Sequence, residues 1–133
     1  LIDIENDVFN AVAKPLRALF PKIMIYGEDV SLPSRFPCVT LTEADNYAYN
    51  GTQDSASLEN HAVLMYEANI YSNKASGKKT ECKQIQAAID KELSRLGFTR
   101  ISKVPLSSDD AKIYRIVSRY SGVVSKNKEI YRR

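Results

Sequence analysis

The run HAVLMYEANIYSN, which begins at His61, constrains the fold more than any other stretch of the chain. Ala62, Leu64, Tyr66, Ala68 and Ile70 fall on one side of an extended backbone, and Val63, Met65, Glu67, Asn69 and Tyr71 fall on the other. A period of two with one wholly apolar side predicts a strand with one buried face and one mixed face. A buried face needs a cover, and the next segment, SGKKTECKQIQAAIDKELSRLGF, supplies one. Cys82, Ile85, Ile89, Leu93 and Leu96 form a helical stripe with Ala88 beside it, while Lys83, Gln84, Gln86, Asp90, Lys91 and Ser94 cover the remainder. Gly97 stands where a left-handed capping residue ends a helix, and Phe98 follows as its apolar partner.

The flanking segments complete the pattern. Over residues 4–20, Ile4, Val8, Val12, Leu16 and Leu19 or Phe20 recur at helical spacing, with Asp3 as a candidate N-cap and Glu5 and Asp7 near the positive end of the helix dipole. Pro15 removes a backbone donor, which predicts a kink or a helix ending near Lys14. Strands are expected over residues 22–26 and 37–44, and again in FTRISKVPL and AKIYRIVSRYSGVV, two runs parted by the turn-like cluster SSDD. The order α-β-β-β-α-β-β predicts an α+β fold, a mainly antiparallel sheet with two helices on one face. At 133 residues this is a single domain, spanning 1–133, with a polar loop at 45–61 and an extended basic tail at 125–133.

Composition narrows the class of partner. Nineteen Lys and Arg against sixteen Asp and Glu leave a net charge of +3, spread along the chain rather than massed as a nucleic-acid face requires. The apolar runs are all far shorter than the roughly 18 residues of a membrane span. The acidic start LIDIENDVF resembles neither a secretory signal nor a transit peptide, so synthesis in the cytoplasm is the expectation. Cys38 lies in an apolar strand and Cys82 on the helix stripe, positions that suit two reduced, buried thiols.

The inventory for catalysis is thin. His61 is the lone histidine, and no Cys or His flanks it at metal-ligand spacing. Asp109 and Asp110 suit a turn for backbone reasons, and Asp45, Asp54 and Glu59 lack the regular spacing of a calcium loop. SGKK lacks the distal glycine of a phosphate loop, and no Gly-x-Ser-x-Gly elbow occurs. The expectation is a protein that is not an enzyme and takes no cofactor or metal.

Two features remain. DNYAYNGTQDSASLENH, residues 45–61, is longer than the loops that compact domains usually carry without a binding role. Tyrosine is also abundant, eight against four Phe and no Trp, and it suits half-buried strand faces and protein interfaces alike.

Several segments together, IDIENDVFNAV, FPCVTLTEADN, TQDSASLENHAVLMYEANIYSNKASGKKTECK, LGFTR and the ending IYRIVSRY…VSKNKEIYRR, resemble the tail-terminator (tail-completion) proteins of long-tailed bacteriophages and prophages. The resemblance spans nearly the whole chain. It implies a small α+β virion protein that forms a ring, usually of six subunits, on the finished tail tube and ends its polymerisation. The implied partners are other copies of the chain, the tail tube protein, the head–tail connector or neck protein and, in contractile tails, the sheath; DNA would meet the ring only in passage, and no membrane is involved. The implied location is the neck of the virion, after synthesis in the bacterial host cytoplasm.

A ring subunit needs a heterologous interface, one patch meeting a different patch on its neighbour. The polar loop and the tail are the expected places for it, with Tyr47, Tyr49, Asp54, Glu59 and His61 from the loop and Lys126, Lys128, Tyr131, Arg132 and Arg133 from the tail. The tail is expected to cross a neighbour, its terminal arginines meeting carboxylates such as Asp54 or Glu59. Two other readings stay open: another neck or head-closure protein, and a small nucleic-acid-binding α+β module using strand tyrosines and the basic tail.

Overall fold

The computed structural model describes residues 1–30, 33–48, 61–106 and 110–130. Its elements run α1 (Glu5–Leu19), β1 (Met24–Tyr26), β2 (Cys38–Ala48), β3 (His61–Ser72), α2 (Lys78–Leu96), β4 (Thr99–Leu106) and β5 (Tyr114–Ser125). This is the expected α-β-β-β-α-β-β order. The strands form one five-stranded sheet in the spatial order β1-β2-β3-β5-β4. All neighbours are antiparallel except β1 and β2, which pair in parallel with Met24 opposite Cys38.

β3 lies at the centre, and its alternation sets the layers. Ala62, Leu64, Tyr66, Ala68 and Ile70 are all buried, and they meet Val39 and Leu41 of β2 and Ile116, Tyr120 and Val124 of β5 in one core. Both helices close that face. α1 contributes Val8, Val12, Ala13 and Leu16, and α2 contributes Cys82, Ile85, Ile89 and Leu93. Burying a side chain of this size stabilises by about 1.5–3 kcal/mol, so the two stripes are a principal source of stability. α2 ends as its sequence requires: Gly97 takes φ 111°, its N–H reaches the Ser94 carbonyl at 3.0 Å, and the Phe98 N–H reaches the Leu93 carbonyl at 2.9 Å.

Four expectations need correction. α1 runs through Pro15 to Leu19 and does not end near Lys14. The lost hydrogen bond there is outweighed by keeping Leu16 on the same buried stripe as Val8 and Val12. Asp3 is not the N-cap; that position is Ile4, although the Asp3 carboxylate still accepts the Glu5 N–H at 3.0 Å. β2 runs on to Ala48, past a bulge between Glu43 and Asp45, and β3 starts at His61, so residues 45–48 and 61 of the expected loop 45–61 are strand, and residues 49–60 lie outside the described residues. Lastly, residues 126–130 do not extend away. The Lys128 N–H bonds the Ser125 carbonyl, the Ser125 N–H bonds the Glu129 carbonyl, both at 2.8 Å, and Ile130 bridges back to Val124. Lys128 adopts φ 65° to close this turn, and Ile130 packs on the core.

Candidate interaction surface

With both helices on one side, the other face of the sheet has no helix over it, and the strand registers fix what it displays. One row across it reads Tyr47, Val63 and Val123; the next reads Asp45, Met65, Ser121 and Thr99. The middle row holds Thr42, Glu67, Arg119 and Ser102, with Glu67 and Arg119 joined by an ion pair of 2.9 Å. Below it lie Thr40, Asn69, Val117 and Val104, then Cys38, Tyr71, Arg115 and Leu106. Cys38, Thr40, Asn69, Tyr71 and Val117 on this side are buried; the accessible groups include Asp45 and Tyr47 at one corner, the Glu67–Arg119 pair in the middle, and Val104 and Leu106 beside the part-buried Arg115 at the other corner.

Arg115 is the best-organised group on this face. Its Nη2 and Nε donate to Asn69 Oδ1 at 2.7 and 3.1 Å, and its guanidinium stands over the Tyr71 ring at 5.3 Å from the centroid. Asn69 is itself oriented, because its Nδ2 donates to Glu67 Oε2 at 3.2 Å. The Tyr71 hydroxyl is pushed above its ordinary range by burial, an effect that Arg115 partly offsets. The guanidinium is thus held by a neutral oxygen and a ring, and among the described residues no carboxylate pairs with it. Beside it, Val104 and Leu106 of the edge strand β4 are about half exposed.

The diagonally opposite corner has different chemistry. There Asp45 and Tyr47 lie on this face, and the Asp45 carboxylate accepts the Asn46 N–H at 2.8 Å; Glu43 and Asn46 turn to the helix-covered side, where the Glu5 carboxylate accepts the Glu43 N–H at 3.2 Å and Asn46 Nδ2 donates to the Ile2 carbonyl at 2.7 Å. Burial raises the Glu43 carboxyl above the ordinary carboxylate range, and the nearby charges of Glu5 and Asp3 raise it further. Tyr47 stands 51 % exposed at the end of this corner.

The residues expected to form an interface distribute unevenly. Tyr47 is an exposed strand residue paired with Val63, and His61 is a half-buried strand residue opposite Ser125 whose Nδ1 has no hydrogen-bond partner among the described residues. Lys126 and Lys128 are exposed in the closing turn. Tyr49, Asp54, Glu59, Tyr131, Arg132 and Arg133 lie outside the described residues. Of the strand tyrosines, Tyr66 and Tyr120 are core residues beneath the helices, and Tyr71 lies under Arg115, so none of these three presents a free ring for base stacking.

No family model matches the chain, and no curated protein matches it. Function must therefore be argued from the surface itself. Among the described residues no group of three or more His, Cys, Asp or Glu side chains is placed to hold a metal, and no helix is long and apolar enough to cross a membrane. Sequence reasoning missed the Arg115–Asn69–Tyr71 cluster. Its only signal was that Asn69, Tyr71 and Arg115 sit on the mixed sides of two strands, and pairing them requires the register.

Proposed function

We propose that this chain is a ring-forming subunit that caps a phage tail tube, ends its polymerisation and offers the surface on which the head connector docks. Three features support the reading. The segments quoted above resemble tail terminators along nearly the whole chain. The α+β order agrees with what that resemblance implies. The observation that carries most weight is the two-sidedness of the sheet: one face is closed by helices, while the other carries Arg115, Val104 and Leu106 at one corner and Asp45 and Tyr47 at the diagonally opposite one, as a subunit with separate surfaces for neighbours and for the tube requires. A virion location in the neck, reached after synthesis in the host cytoplasm, belongs to the same proposal, as do the tube protein, the connector and a sheath as partners.

The deciding experiment adds the purified chain to pre-formed tail tubes and images the tubes by electron microscopy, with the mass of the free protein measured in parallel. A ring at one end of each tube, and tubes that stop growing, are the expected results. Tubes that elongate unchanged, with no density at either end, would overturn the assignment.

A further inference from the structure

We infer that copies of this chain join head to tail through opposite corners of the sheet, the Arg115–Val104–Leu106 corner of one copy docking on the Asp45–Tyr47 corner of the next. This rests on the ring-subunit reading and names the surfaces that would build the ring.

Side chains, not strand edges, must make the contact, because both sheet edges are guarded against backbone pairing. On the β2 side, Glu5 takes the Glu43 N–H, Asp45 takes the Asn46 N–H, and a bulge breaks the ladder between them. On the β4 side, a bulge at Ile101, the cation Lys103 and the imino acid Pro105 lie along the edge. Bulges, lysines and prolines are how natural sheets prevent indiscriminate edge-to-edge addition.

The two corners complement one another in charge. At one corner Arg115 lies opposite Leu106, and among the described residues no carboxylate pairs with it. At the other, Asp45 is exposed on the same face of the sheet, opposite Met65, and Tyr47 stands beyond it. Arg115 is pre-oriented by Asn69 and Tyr71, so little side-chain entropy is lost when a carboxylate meets it. Arginine and tyrosine in a partly desolvated, apolar setting are the residue types that dominate binding energy at interfaces. Val104 and Leu106 give the apolar contact on one side, and Tyr47 answers it on the other.

Geometry then fixes the type of assembly. The corners lie on opposite edges of the sheet and share no residue, so a pair formed this way leaves one corner of each kind unsatisfied. Such heterologous contacts add further copies, and a ring results where the rotation between neighbours closes.

The test uses the full chain. Leu106→Cys and Tyr47→Cys variants are prepared separately, then mixed and oxidised; the native Cys38 and Cys82 are buried and do not compete. A disulfide-linked dimer is expected from the mixture and not from either variant alone. In parallel, sedimentation measures self-association of Asp45→Arg, Arg115→Glu and the double variant at low salt. Each single reversal should weaken association about tenfold or more, and the double should recover most of it. Leu106→Asp, at an exposed position that does not orient Asn69, should weaken association likewise, with its thermal unfolding measured to check the fold. Absence of the mixed cross-link, equal cross-linking of one variant with itself, or reversals that leave association unchanged would each overturn the corner-to-corner contact. Wild-type rings on tubes with any of those results would leave the ring reading standing alone. A mixed cross-link from a chain that ignores tubes would keep the contact and reject the tube-capping function.

Discussion

Phe98 occupies the space that a side chain at position 122 would need: a Cβ on Gly122 would lie 2.7 Å from the Cδ1 of the Phe98 ring. The two residues meet because Gly97 ends α2 and turns Phe98 back onto the sheet, where Gly122 sits opposite Leu64 on the helix-covered face. The ring also stands edge-on to Tyr66, centroids 5.3 Å apart. Gly122→Ala should therefore cost about 1–3 kcal/mol by overpacking. Phe98→Ala should cost about 3–5 kcal/mol through the cavity it leaves. Because the small residue relieves the clash, the double variant should lose clearly less than the sum of the two. Urea denaturation midpoints of the three variants check all of this, and simple additivity would contradict the contact.

A polar chain crosses the helix–sheet boundary at Tyr120. Gln86 Nε2 donates to its hydroxyl at 2.8 Å, the hydroxyl donates to Asp90 Oδ1 at 2.9 Å, and Arg100 reaches the same oxygen at 3.2 Å. Tyr120→Phe leaves the buried Gln86 amide without its acceptor and should cost about 1–3 kcal/mol. Arg100→Ala should cost about 1 kcal/mol or less, because that pair is substantially exposed and screened by solvent. Thermal unfolding of the two variants should rank them in that order.

The parts of the fold that follow from local pattern were legible in the sequence; those that depend on which strand meets which were not. The faces of β3 and the stripe of α2 could be read directly, because their apolar residues repeat at the period of the element that carries them. The end of β2 could not. Asp45, Asn46 and Tyr47 lie on a strand whose outer edge β1 leaves unpaired, so their polarity mimics that of a loop. Pro15 misled for a related reason: the local rule predicts a break, and burial of Leu16 beyond it overrides the rule. The Arg115 cluster was out of reach, since Asn69 and Arg115 are 46 positions apart in the chain and meet only through the antiparallel register.

The two cysteines give a direct probe of the core. Burial raises the Cys38 thiol to about 11 and the Cys82 thiol to about 12, and the nearby charge of Glu81 adds to the second. Both thiols are therefore protonated at pH 8 and shielded from reagents, so neither is a nucleophile in the folded chain. A chromogenic disulfide reagent should titrate almost no thiol in the native protein and two per chain in denaturant. A fast native reaction at either site would mean that the sheet–helix layer opens on the timescale of the assay.

Glu43 makes the acidic corner a measurable liability. Its folded carboxyl is raised, first by burial and then by Glu5 and Asp3, while the Asn46 and Tyr66 hydrogen bonds pull it partly back. A carboxyl whose folded value exceeds its unfolded one binds its proton more tightly in the native state. Its ionisation therefore costs stability as pH rises through the window just above the ordinary glutamate value, and the full cost is present at neutral pH. Glu43→Gln keeps an oxygen for Asn46 and Tyr66 yet removes the charge. It should stabilise the protein at pH 7, and its advantage over wild type should shrink and vanish as pH falls below the unfolded value. Asp3→Asn, which removes one of the neighbouring charges, should lower the Glu43 titration midpoint seen by carboxyl NMR. An advantage that stayed constant across the acid range would mean that packing, not charge, sets the energetics of this corner.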